Sequence, residues 1–244
     1  MKQFGLIGYP LSHSFSKGYF AEKFAKENIV DCHYDVFPLE KVEDFVELCN
    51  THKNLVGLNV TIPYKEKIIP FLDELDETAA NIGAVNTIKF SNGKKIGYNT
   101  DCFGFEMSLK PLLKPHHTHA LILGTGGASK AVEYVLKKLG IDFHYVSRTK
   151  SAKAIAYEEV NDLIIQNSTL IINSTPIGMY PNVNDAPDIP YQFITDKHLL
   201  YDLIYNPEET QFLKEGKERG AQTKNGLEML HLQAERSWQI WVGQ

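Results

Sequence analysis

Two successive patterns of apolar and polar positions run along the chain. Short apolar stretches bounded by Gly or Pro predict buried strands, and apolar residues spaced three or four apart predict helices. In the first pattern the predicted elements are a strand in KQFGLIG, a helix from Lys17 to about Asn28, a strand in HYDVFPL, a helix in VEDFVELCNTH, a strand in LVGLNVTIP, a broken helix in KEKIIPFLDELDETAANIG, and a hairpin of AVNTIKF and KIGYNTD. This order predicts an α/β unit with an open, mostly parallel sheet, to which the hairpin adds an antiparallel edge.

The second pattern starts near residue 104 and is again α/β. Its predicted elements are a strand and a helix in HHTHALILGTGGASKAVEYVLKKLG and further strands in DFHYVSRT, TLIINSTPIG and HLLYDLIYNP. Gly140 is expected to end the helix. The last stretch, GLEMLHLQAERSWQIW, predicts one amphipathic helix on which Trp238 and Trp241 fit a stripe that faces a core.

Composition and charge exclude several classes of partner. The chain has 244 residues, 43% hydrophobic and 23% charged, which is ordinary for a soluble globular protein. A net charge of -5 without a basic patch gives no reason to expect nucleic acid or an acidic membrane surface. The cysteines, Cys32, Cys49 and Cys102, are odd in number and widely spaced, so they signal neither a disulfide framework nor a zinc site. Without a signal segment or an apolar run of membrane-spanning length, we expect a cytoplasmic protein.

The Gly-rich turn of the second pattern carries the strongest generic signal. An apolar strand runs into the turn and a helix follows at once; the turn is Gly124, Thr125, Gly126, Gly127, Ala128 and Ser129. A dinucleotide site needs this context, because glycines permit the tight turn and the helix N-terminus directs its amides at the pyrophosphate. Ser129 stands where Gly or Ala is usual, and a purely structural turn is the alternative.

The end of the next strand indicates which dinucleotide is bound. An NAD site places Asp or Glu about 20 residues after the glycines, where the carboxylate accepts from the ribose 2′-hydroxyl. Here the segment from His144 to Lys150 has no carboxylate and contains Ser147, Arg148 and Thr149. An arginine can pair with a 2′-phosphate, so we predict NADP, with a solvated loop arginine as the alternative.

Polar side chains of the first pattern cluster at predicted strand ends. In an extended segment Ser14 and Ser16 would direct both hydroxyls to one side, as a clamp for a hydroxylated ligand or as ordinary turn residues. Further candidates follow the strands: Asn59, Thr61, Lys65, Asn86, Asn99 and Asp101. Ligands of open α/β sheets bind beyond the carboxyl ends of strands, so these groups could converge, although each alone also fits a turn, a cap or a strand. Lys65 beside Asp101 could exchange a proton with a carbonyl or hydroxyl.

Taken together, the motifs resemble one family across essentially the whole chain. Eight short motifs follow one another along the chain in this order: HSFS, NVTIPYK, GAVNTI, NTD, GTGGAS, SRT, NSTPIGM and NGLEMLHLQ. That order resembles the shikimate dehydrogenases, which use NADP to interconvert 3-dehydroshikimate and shikimate in chorismate and aromatic amino-acid biosynthesis. The resemblance implies a substrate-binding and catalytic domain at 1–103 that includes the C-terminal helix at 226–244, and a Rossmann-type NADP-binding domain at 104–225.

The resemblance also implies roles for individual residues. Lys65 and Asp101 would be the catalytic pair, and Ser14 and Ser16 would bind the substrate carboxylate. The ring hydroxyls would be held by Thr61, Lys65, Asn86, Asp101 and Gln233, with Tyr205 nearby. The cofactor would be held by Gly124, Thr125, Gly126, Gly127, Ala128 and Ser129 at the pyrophosphate, by Ser147, Arg148 and Thr149 at the 2′-phosphate, and by Leu203 and Gly226 at the nicotinamide.

The chain departs from the family pattern at a few positions. Lys17 replaces a proline, and Glu228 replaces a glycine close to the expected nicotinamide. Ser147 replaces Asn, and Ala152 replaces a second arginine, with Lys153 next to it. Two alternatives are an NAD-using quinate/shikimate dehydrogenase, which an acidic residue at the adenosine loop would signal, and a non-catalytic ligand-binding regulator on the same scaffold, which loss of Lys65 or Asp101 would favour. We expect a monomer or homodimer without a metal, and HHTH at 116–119 is interpreted as an exposed connection.

Overall fold

The computed structural model describes residues 1–11 and 15–244. These residues form two compact units. The first consists of residues 1–100 and 234–244, and the second of residues 101–233. The roles predicted for the two parts of the chain, substrate binding and cofactor binding, stay predictions at this point.

The first unit contains a mixed sheet. Its strands are β1 (Lys2–Gly8), β2 (Cys32–Pro38), β3 (Leu55–Val60), β4 (Glu74–Leu75), β5 (Thr87–Ser91) and β6 (Lys94–Tyr98), and its helices are α1 (Phe15–Lys26), α2 (Asp44–Thr51) and α3 (Glu77–Ile82). Among the described residues the strand order is β2-β1-β3-β5-β6-β4. The β1 strand pairs in parallel with β2 and β3, β5 is antiparallel to β3 and β6, and β4 is parallel to β6. The predicted open α/β sheet is therefore confirmed.

Two details of the prediction for this unit are wrong. The β5–β6 hairpin does not form the edge of the sheet, because β4 pairs outside β6. The stretch predicted as a broken helix contains only the 3₁₀ turn Ile69–Phe71 and the helix α3, with β4 between them. The backbone amide and the Nζ of Lys95 both donate to the Asp73 carboxylate, at 2.6 and 2.7 Å. Tertiary pairing with β6 thus overrides the local helical preference.

An aromatic core joins the two ends of the chain in the first unit. Phe4, Phe20 and Phe24 pack with Trp238 and Trp241, which lie on the final helix α8 (Leu227–Val242). The Trp241 Nε1 donates to the Ile88 carbonyl at 3.0 Å. A Cβ at Gly57 would collide with the Trp241 indole, so glycine is required for this close packing. The predicted apolar stripe and the packing of the last helix on the first domain are confirmed.

The second unit contains a parallel sheet of the dinucleotide-binding type. Its strands are β7 (His119–Leu123), β8 (Asp142–Ser147), β9 (Ala154–Ala156), β10 (Leu170–Asn173), β11 (Leu199–Asp202) and β12 (Gln222–Lys224), and its helices are α4 (Asp101–Leu109), α5 (Gly127–Lys138), α6 (Asp162–Asn167), α7 (Gln211–Glu218) and the first part of α8. Within the described chain the order is β12-β11-β10-β7-β8-β9, with every pairing parallel. Counted from β7, this is the 3-2-1-4-5-6 order of Rossmann folds, with its switch point between β7 and β10.

The apolar pattern missed the short elements of this unit. Neither β9, β12, α6 nor α7 was expected from periodicity, since each covers at most eight residues. Side-chain caps start the helices: Asn161 Oδ1 accepts from the Ile164 amide at 3.1 Å, and Thr210 Oγ1 accepts from the Leu213 amide at 3.4 Å. The predicted end of α5 is confirmed, because Gly140 follows it with φ of 69°.

Candidate functional site

The strand register of the first unit gathers three loops at one edge of its sheet. Asn59 at the carboxyl end of β3 pairs with Thr87 at the amino end of β5, and Thr87 pairs with Tyr98 at the carboxyl end of β6. The antiparallel direction of β5 is what brings its beginning to the end of β3. The loops after β3, before β5 and after β6 therefore meet, and they carry Thr61, Lys65, Asn86 and Asn99.

Backbone hydrogen bonds lock the loop after β3 to the loop before β5. The Thr61 amide donates to the Ile7 carbonyl at 2.9 Å, and the Val85 amide donates to the Lys65 carbonyl at 2.7 Å. The Val60 amide donates to the Asn86 carbonyl at 2.8 Å. Lys65 and Asn86 are thus held in adjoining backbone segments, as the sequence predicted for a common site.

Asn86 is buried and held in one orientation. The Thr100 amide donates to Asn86 Oδ1 at 2.7 Å, and Asn86 Nδ2 donates to Thr100 Oγ1 at 3.0 Å. Because the oxygen must face the Thr100 amide, the two ends of the Asn86 amide are not interchangeable. Asn99 donates from Nδ2 to the Ala84 carbonyl at 2.9 Å, which closes the loop around Asn86.

The first predicted clamp residue, Ser14, lies outside the described residues. Ser16 lies in the first turn of α1 and is half-buried, so the extended alternation proposed for these serines does not hold at this residue. The Ser16 hydroxyl forms a hydrogen bond with the buried hydroxyl of Tyr34. Lys17, which replaces the proline of the family pattern, is part of the same helix and approaches the Asp35 carboxylate at 4.0 Å.

Asp101 and Gln233 lie on neighbouring helices of the second unit. Asp101 is the first residue of α4 and is 7% exposed. A Cβ at Gly104 would lie 2.5 Å from the Met229 carbonyl and 3.2 Å from Gln233 Cβ, so this glycine lets α4 approach α8 closely. Lys65 belongs to the first unit and Asp101 to the second, and their pairing stays a prediction.

Cys102, directly after Asp101, is buried, as predicted for a small apolar residue. Burial, followed by the charge of Asp101, raises the pKa of its thiol to about 12. A thiol with such a pKa is protonated at neutral pH and is a poor nucleophile. The polar chemistry at the start of α4 therefore rests on the Asp101 carboxylate.

The Gly-rich loop has the strand–turn–helix geometry that its sequence predicts. Gly124 has φ of 99°, and an added Cβ would lie 2.8 Å from Thr175 Cγ2 and 3.1 Å from Ser174 Oγ. Gly126 caps α5, and a Cβ there would extend into open space. Ser129, the departure from the usual pattern, is buried and donates from Oγ to the Gly126 carbonyl at 2.6 Å, which tightens the turn. The amides at the start of α5 are thus presented to solvent at the switch point of the sheet.

One surface pocket of about 490 Å³ joins the Gly-rich loop to the loop after β8. Its lining residues are Thr125, Ser129, Lys130, Glu133, Tyr145, Ser147, Arg148, Thr149, Ser151 and Lys153. The structure therefore brings Thr125 and Ser129 together with the predicted adenosine-side residues. The cations Lys130, Arg148 and Lys153 make this pocket suited to a phosphate group.

The pocket also contains one carboxylate, which the sequence reasoning missed. Tyr145 donates from its hydroxyl to Glu133 at 2.7 Å, and Lys137 Nζ donates to the same carboxylate at 2.5 Å. Burial raises the pKa of Glu133, but these two hydrogen bonds outweigh it and hold the pKa below its usual value. The Glu133 charge is thus internally paired. The sequence signal that could have indicated this carboxylate was the place of Glu133 on the second turn of α5, facing β8.

Leu203 and Gly226 meet at the carboxyl end of β11, as predicted for neighbouring residues of one site. The Gly226 amide donates to the Ile204 carbonyl at 2.9 Å, and a Cβ at Gly226 would collide with the Leu203 carbonyl. Tyr205 follows on the same loop and is exposed. Glu228, the unusual acid in the first turn of α8, forms an ion pair with Lys224.

A buried carboxylate organises the loops at this end of the sheet and was not predicted. Asp202 is fully buried and accepts hydrogen bonds from the Ile204 amide at 3.0 Å, Asn173 Nδ2 at 3.1 Å and Thr210 Oγ1 at 2.6 Å. Asn173 in turn accepts from the Thr175 amide at 3.0 Å. Burial raises the pKa of Asp202 to about 6, although the three donors oppose this shift. The sequence signal that could have indicated this buried carboxylate was the place of Asp202 at the end of an apolar strand, in YDLIYNP.

The HHTH segment serves a structural purpose. His117 is buried, which corrects the exposed connection proposed for it, and its Nδ1 accepts from the Lys114 amide at 3.0 Å. Within residues 1–11 and 15–244 no group of three or more His, Cys, Asp and Glu side chains is arranged to hold a metal ion. In the same residues no helix combines the length and the hydropathy needed to cross a membrane.

Comparison with known proteins agrees with the fold. Residues 6–88 match the family model described as the shikimate dehydrogenase substrate binding domain. A shikimate dehydrogenase (NADP(+)) of Methanosphaera stadtmanae is 40% identical over 258 residues, covering 98% of this chain and 90% of that protein. A shikimate dehydrogenase crystallised in complex with NADP+ has a TM-score of 0.88 at 37% identity, covering 100% of this chain and 91% of that chain. A Listeria monocytogenes shikimate 5-dehydrogenase in complex with shikimate and NAD has a TM-score of 0.89 at 26% identity, covering 100% and 92%.

The two sheets and the phosphate-binding turn define a two-domain α/β protein that binds a dinucleotide. The sequence identity with relatives, which extends over nearly the full length of both proteins, shows the family within this class. The chain belongs to the shikimate dehydrogenase family.

Proposed function

We propose that this chain is an NADP-dependent shikimate dehydrogenase. It catalyses the reversible, NADPH-dependent reduction of 3-dehydroshikimate to shikimate, an oxidoreductase reaction at a CH–OH group in aromatic amino-acid biosynthesis. The observation that carries the proposal is the meeting of Thr61, Lys65 and Asn86 at one edge of the first sheet, locked there by backbone hydrogen bonds. Family membership supplies the substrate class for this polar edge.

The substrate is held by hydrogen bonds. We assign the substrate carboxylate to Ser14 and Ser16, and the ring hydroxyls to Thr61, Lys65, Asn86, Asp101 and Gln233, with Tyr205 nearby. A small polyhydroxylated acid suits this set, because a site built for hydroxyl groups penalises an analogue that leaves its donors unpaired. The buried, singly oriented amide of Asn86 provides such a donor and acceptor at a defined place.

The residues of the second unit fit NADP. We assign the pyrophosphate to the loop from Gly124 to Ser129, where the open space at Gly126 leaves room for a ligand against the start of α5. The 2′-phosphate is assigned to Ser147, Arg148 and Thr149, whose pocket also contains Lys130 and Lys153. Leu203 and Gly226 are assigned to the nicotinamide side. Bound NADP(H) supplies the hydride chemistry of the reaction.

The chain itself orients the substrate and manages one proton. We assign Lys65 as the group that donates a proton to the substrate oxygen during reduction and accepts it during oxidation, with Asp101 as its partner. Lys65 has a well-defined backbone position, because its carbonyl accepts from Val85 next to Asn86. The backbones of Asn86 and Lys65 are thereby held next to one another, which supports a common role in orienting one ring hydroxyl toward the proton donor.

An absorbance assay at the reduced-nicotinamide band tests the proposal. Purified enzyme with shikimate and NADP is expected to produce NADPH, at a kcat/KM well above that with quinate or with NAD. Equal or faster turnover of quinate would overturn the assigned substrate. Tight shikimate binding without NADPH formation would support the regulator on the same scaffold instead.

Use of NAD is a second candidate for the cofactor specificity. It is favoured by Ser147 and Ala152, which replace residues of the NADP pattern, and by the Glu133 carboxylate in the pocket. The NADP assignment is supported by Arg148 and by the adjoining Lys130 and Lys153. A higher kcat/KM with NAD than with NADP would reverse the assignment.

We further infer a cytoplasmic enzyme that is a monomer or homodimer and needs no metal. Light scattering coupled to size-exclusion chromatography reports the mass against 27.6 kDa for one chain. A mass of three or more chains would contradict this inference.

A further inference from the structure

A continuous set of buried hydrogen bonds lies within the first unit and reaches two of the residues assigned to the substrate, Ser16 and Asn86. We call it the polar network, and it consists of Tyr34, Asn59, Thr87, Thr100 and Ser237. Each of these residues is at most 5% exposed. They come from β2, β3, β5, the loop after β6 and α8, so the network joins elements far apart in sequence.

One end of the polar network reaches the carboxylate clamp. The Tyr34 hydroxyl donates to Asn59 Oδ1 at 2.8 Å and forms a hydrogen bond with the Ser16 hydroxyl. The Tyr34 ring stacks on Phe20 of α1, with centroids 4.6 Å apart, which restrains the ring that carries this hydroxyl. Tyr34 thus connects Asn59 of the polar network to Ser16.

Ser237 forms the centre of the network. Its Oγ accepts from Asn59 Nδ2 at 3.0 Å, and it lies 2.8 Å from Thr87 Oγ1 and 3.1 Å from Thr100 Oγ1. Since Asn59 Oδ1 accepts from Tyr34 while Nδ2 faces Ser237, the orientation of this amide is defined. One hydroxyl on the last helix thus connects three elements of the sheet edge.

The other end of the network holds Asn86. Thr100 contacts both ends of the Asn86 amide, and Thr87 Oγ1 donates to Asn86 Oδ1 at 3.2 Å. Thr87 and Thr100 are in turn bonded to Ser237. A displacement of the Ser237 hydroxyl would therefore be transmitted to the amide assigned to a substrate hydroxyl.

The chemical composition of this region argues for positioning. Burying so many polar groups is unfavourable unless each is paired, and apolar residues of similar size would pack the same space at lower cost. What a fully paired network provides is a unique arrangement of its members. Here the residues in contact with its two ends, Ser16 and Asn86, are assigned to the carboxylate and to a ring hydroxyl of the substrate.

We propose that Tyr34 and Ser237 are positioning residues for the substrate, Tyr34 acting through Ser16 on the carboxylate and Ser237 acting through Thr87 and Thr100 on Asn86. The inference rests on the proposed function, because it needs shikimate as the ligand. It makes substrate affinity depend on residues that do not contact the substrate.

Steady-state kinetics of Tyr34→Phe test the first half. Loss of one buried hydrogen bond is expected to raise KM for shikimate about tenfold, with kcat changed by less than about threefold and KM for NADP unchanged. In the Ser16→Ala background the same substitution should raise KM little further, because the two residues act on one group. Methyl shikimate, which lacks the carboxylate charge, should show a smaller effect of Tyr34→Phe than shikimate does.

Ser237→Ala tests the second half, with Ser108→Ala as its matched control. Ser108 is also a buried helical serine that is hydrogen-bonded to a hydroxyl, that of Tyr201 at 2.6 Å, but it belongs to the second unit and is not part of the network. Both variants are expected to lose stability, and only Ser237→Ala to raise KM for shikimate, by about tenfold. Its effect should be non-additive with Asn86→Ala.

The outcomes separate this inference from the function itself. If the wild-type enzyme does not oxidise shikimate, the proposed function fails. If it does, and both Tyr34→Phe and Ser237→Ala keep the wild-type KM or change it additively with Ser16→Ala and Asn86→Ala, the positioning role is overturned. Equal KM changes in Ser108→Ala and Ser237→Ala would assign the effect to stability alone.

Discussion

At the residue scale we propose that the reaction depends most directly on Lys65. It is half-buried in the loop after β3, and its backbone carbonyl is bonded to Val85 beside Asn86. Lys65→Ala is expected to lower kcat by roughly 10²- to 10⁴-fold, because a positioned proton donor is removed, while KM for shikimate changes much less. Steady-state assays in both directions measure this.

Lys67→Ala is the matched control for Lys65, since Lys67 is exposed two residues further along. It should behave as wild type. A Lys65→Ala enzyme that retains near-normal kcat would remove this side chain from the chemistry and leave only a binding role.

We expect cofactor specificity also to depend on a single residue, Arg148. It is exposed on the loop after β8 and lines the pocket with Lys130 and Lys153. Arg148→Ala is expected to raise KM for NADP at least about tenfold, because a charge-assisted bond to the 2′-phosphate is lost, and to leave KM for NAD nearly unchanged. Lys150→Ala, which breaks only the ion pair with Glu159, is the control. Equal losses with both cofactors would show that Arg148 does not recognise the 2′-phosphate.

At the scale of elements, Asp202 couples β11 to the loops around it and makes stability depend on pH. Its pKa is raised from 3.8 to about 6 in the folded protein by burial. Between these values the folded state binds more protons than the unfolded state, so this contribution to the free energy of unfolding falls as pH rises from about 4 to 6 and is constant above.

Asp202→Asn isolates this term, because the other titrating groups cancel between the two proteins. The free energy of unfolding of the wild type minus that of the variant should be about 1 to 3 kcal/mol larger at pH 4.5 than at pH 7.5, as measured by urea unfolding. A difference that grows as pH rises would mean that the three donors outweigh burial and hold the pKa of Asp202 below its ordinary value.

At the scale of the whole molecule, the first unit is completed by the end of the chain. Residues 234–244 belong to the same unit as residues 1–100, and Trp241 is 3% exposed between Phe4 and Phe20. Trp241→Ala is expected to lower the free energy of unfolding by about 3 to 5 kcal/mol, through lost burial, an added cavity and the lost bond to Ile88. Denaturant unfolding followed by circular dichroism measures this loss.

Val242→Ala is the control, because Val242 is one residue further along and 42% exposed. This substitution should lower the free energy of unfolding by less than about 0.5 kcal/mol. If both variants were equally stable, the last helix would contribute little to the first unit. The same arrangement predicts that KM for shikimate, more than KM for NADP, responds to changes in the second half of α8.

Local sequence was sufficient to predict the elements that are long or that are bounded by Gly or Pro. Apolar runs that end at Gly or Pro predict β1, β3, β7, β10 and β11, and the Gly124–Ser129 turn predicts a phosphate-binding loop. These predictions succeed because each depends only on residues that are neighbours in the chain. Arg148 and the absence of a carboxylate after β8 are equally local, and so the cofactor was predictable. The order of the short motifs indicated the family without any structure.

Only the tertiary structure decided which distant side chains meet. Contacts between remote segments produce the pairing of β4 with β6 and the hydrogen bonds of the Asp202 carboxylate with Asn173 and with the Ile204 amide. They also place Glu133 in the pocket that joins the Gly-rich loop to the loop after β8. The polar network shows the reason most clearly. Tyr34, Asn59, Thr87, Thr100 and Ser237 are ordinary residues in the sequence, and they act together only because strand register and the packing of α8 bring their hydrogen-bonding atoms within about 3 Å of one another.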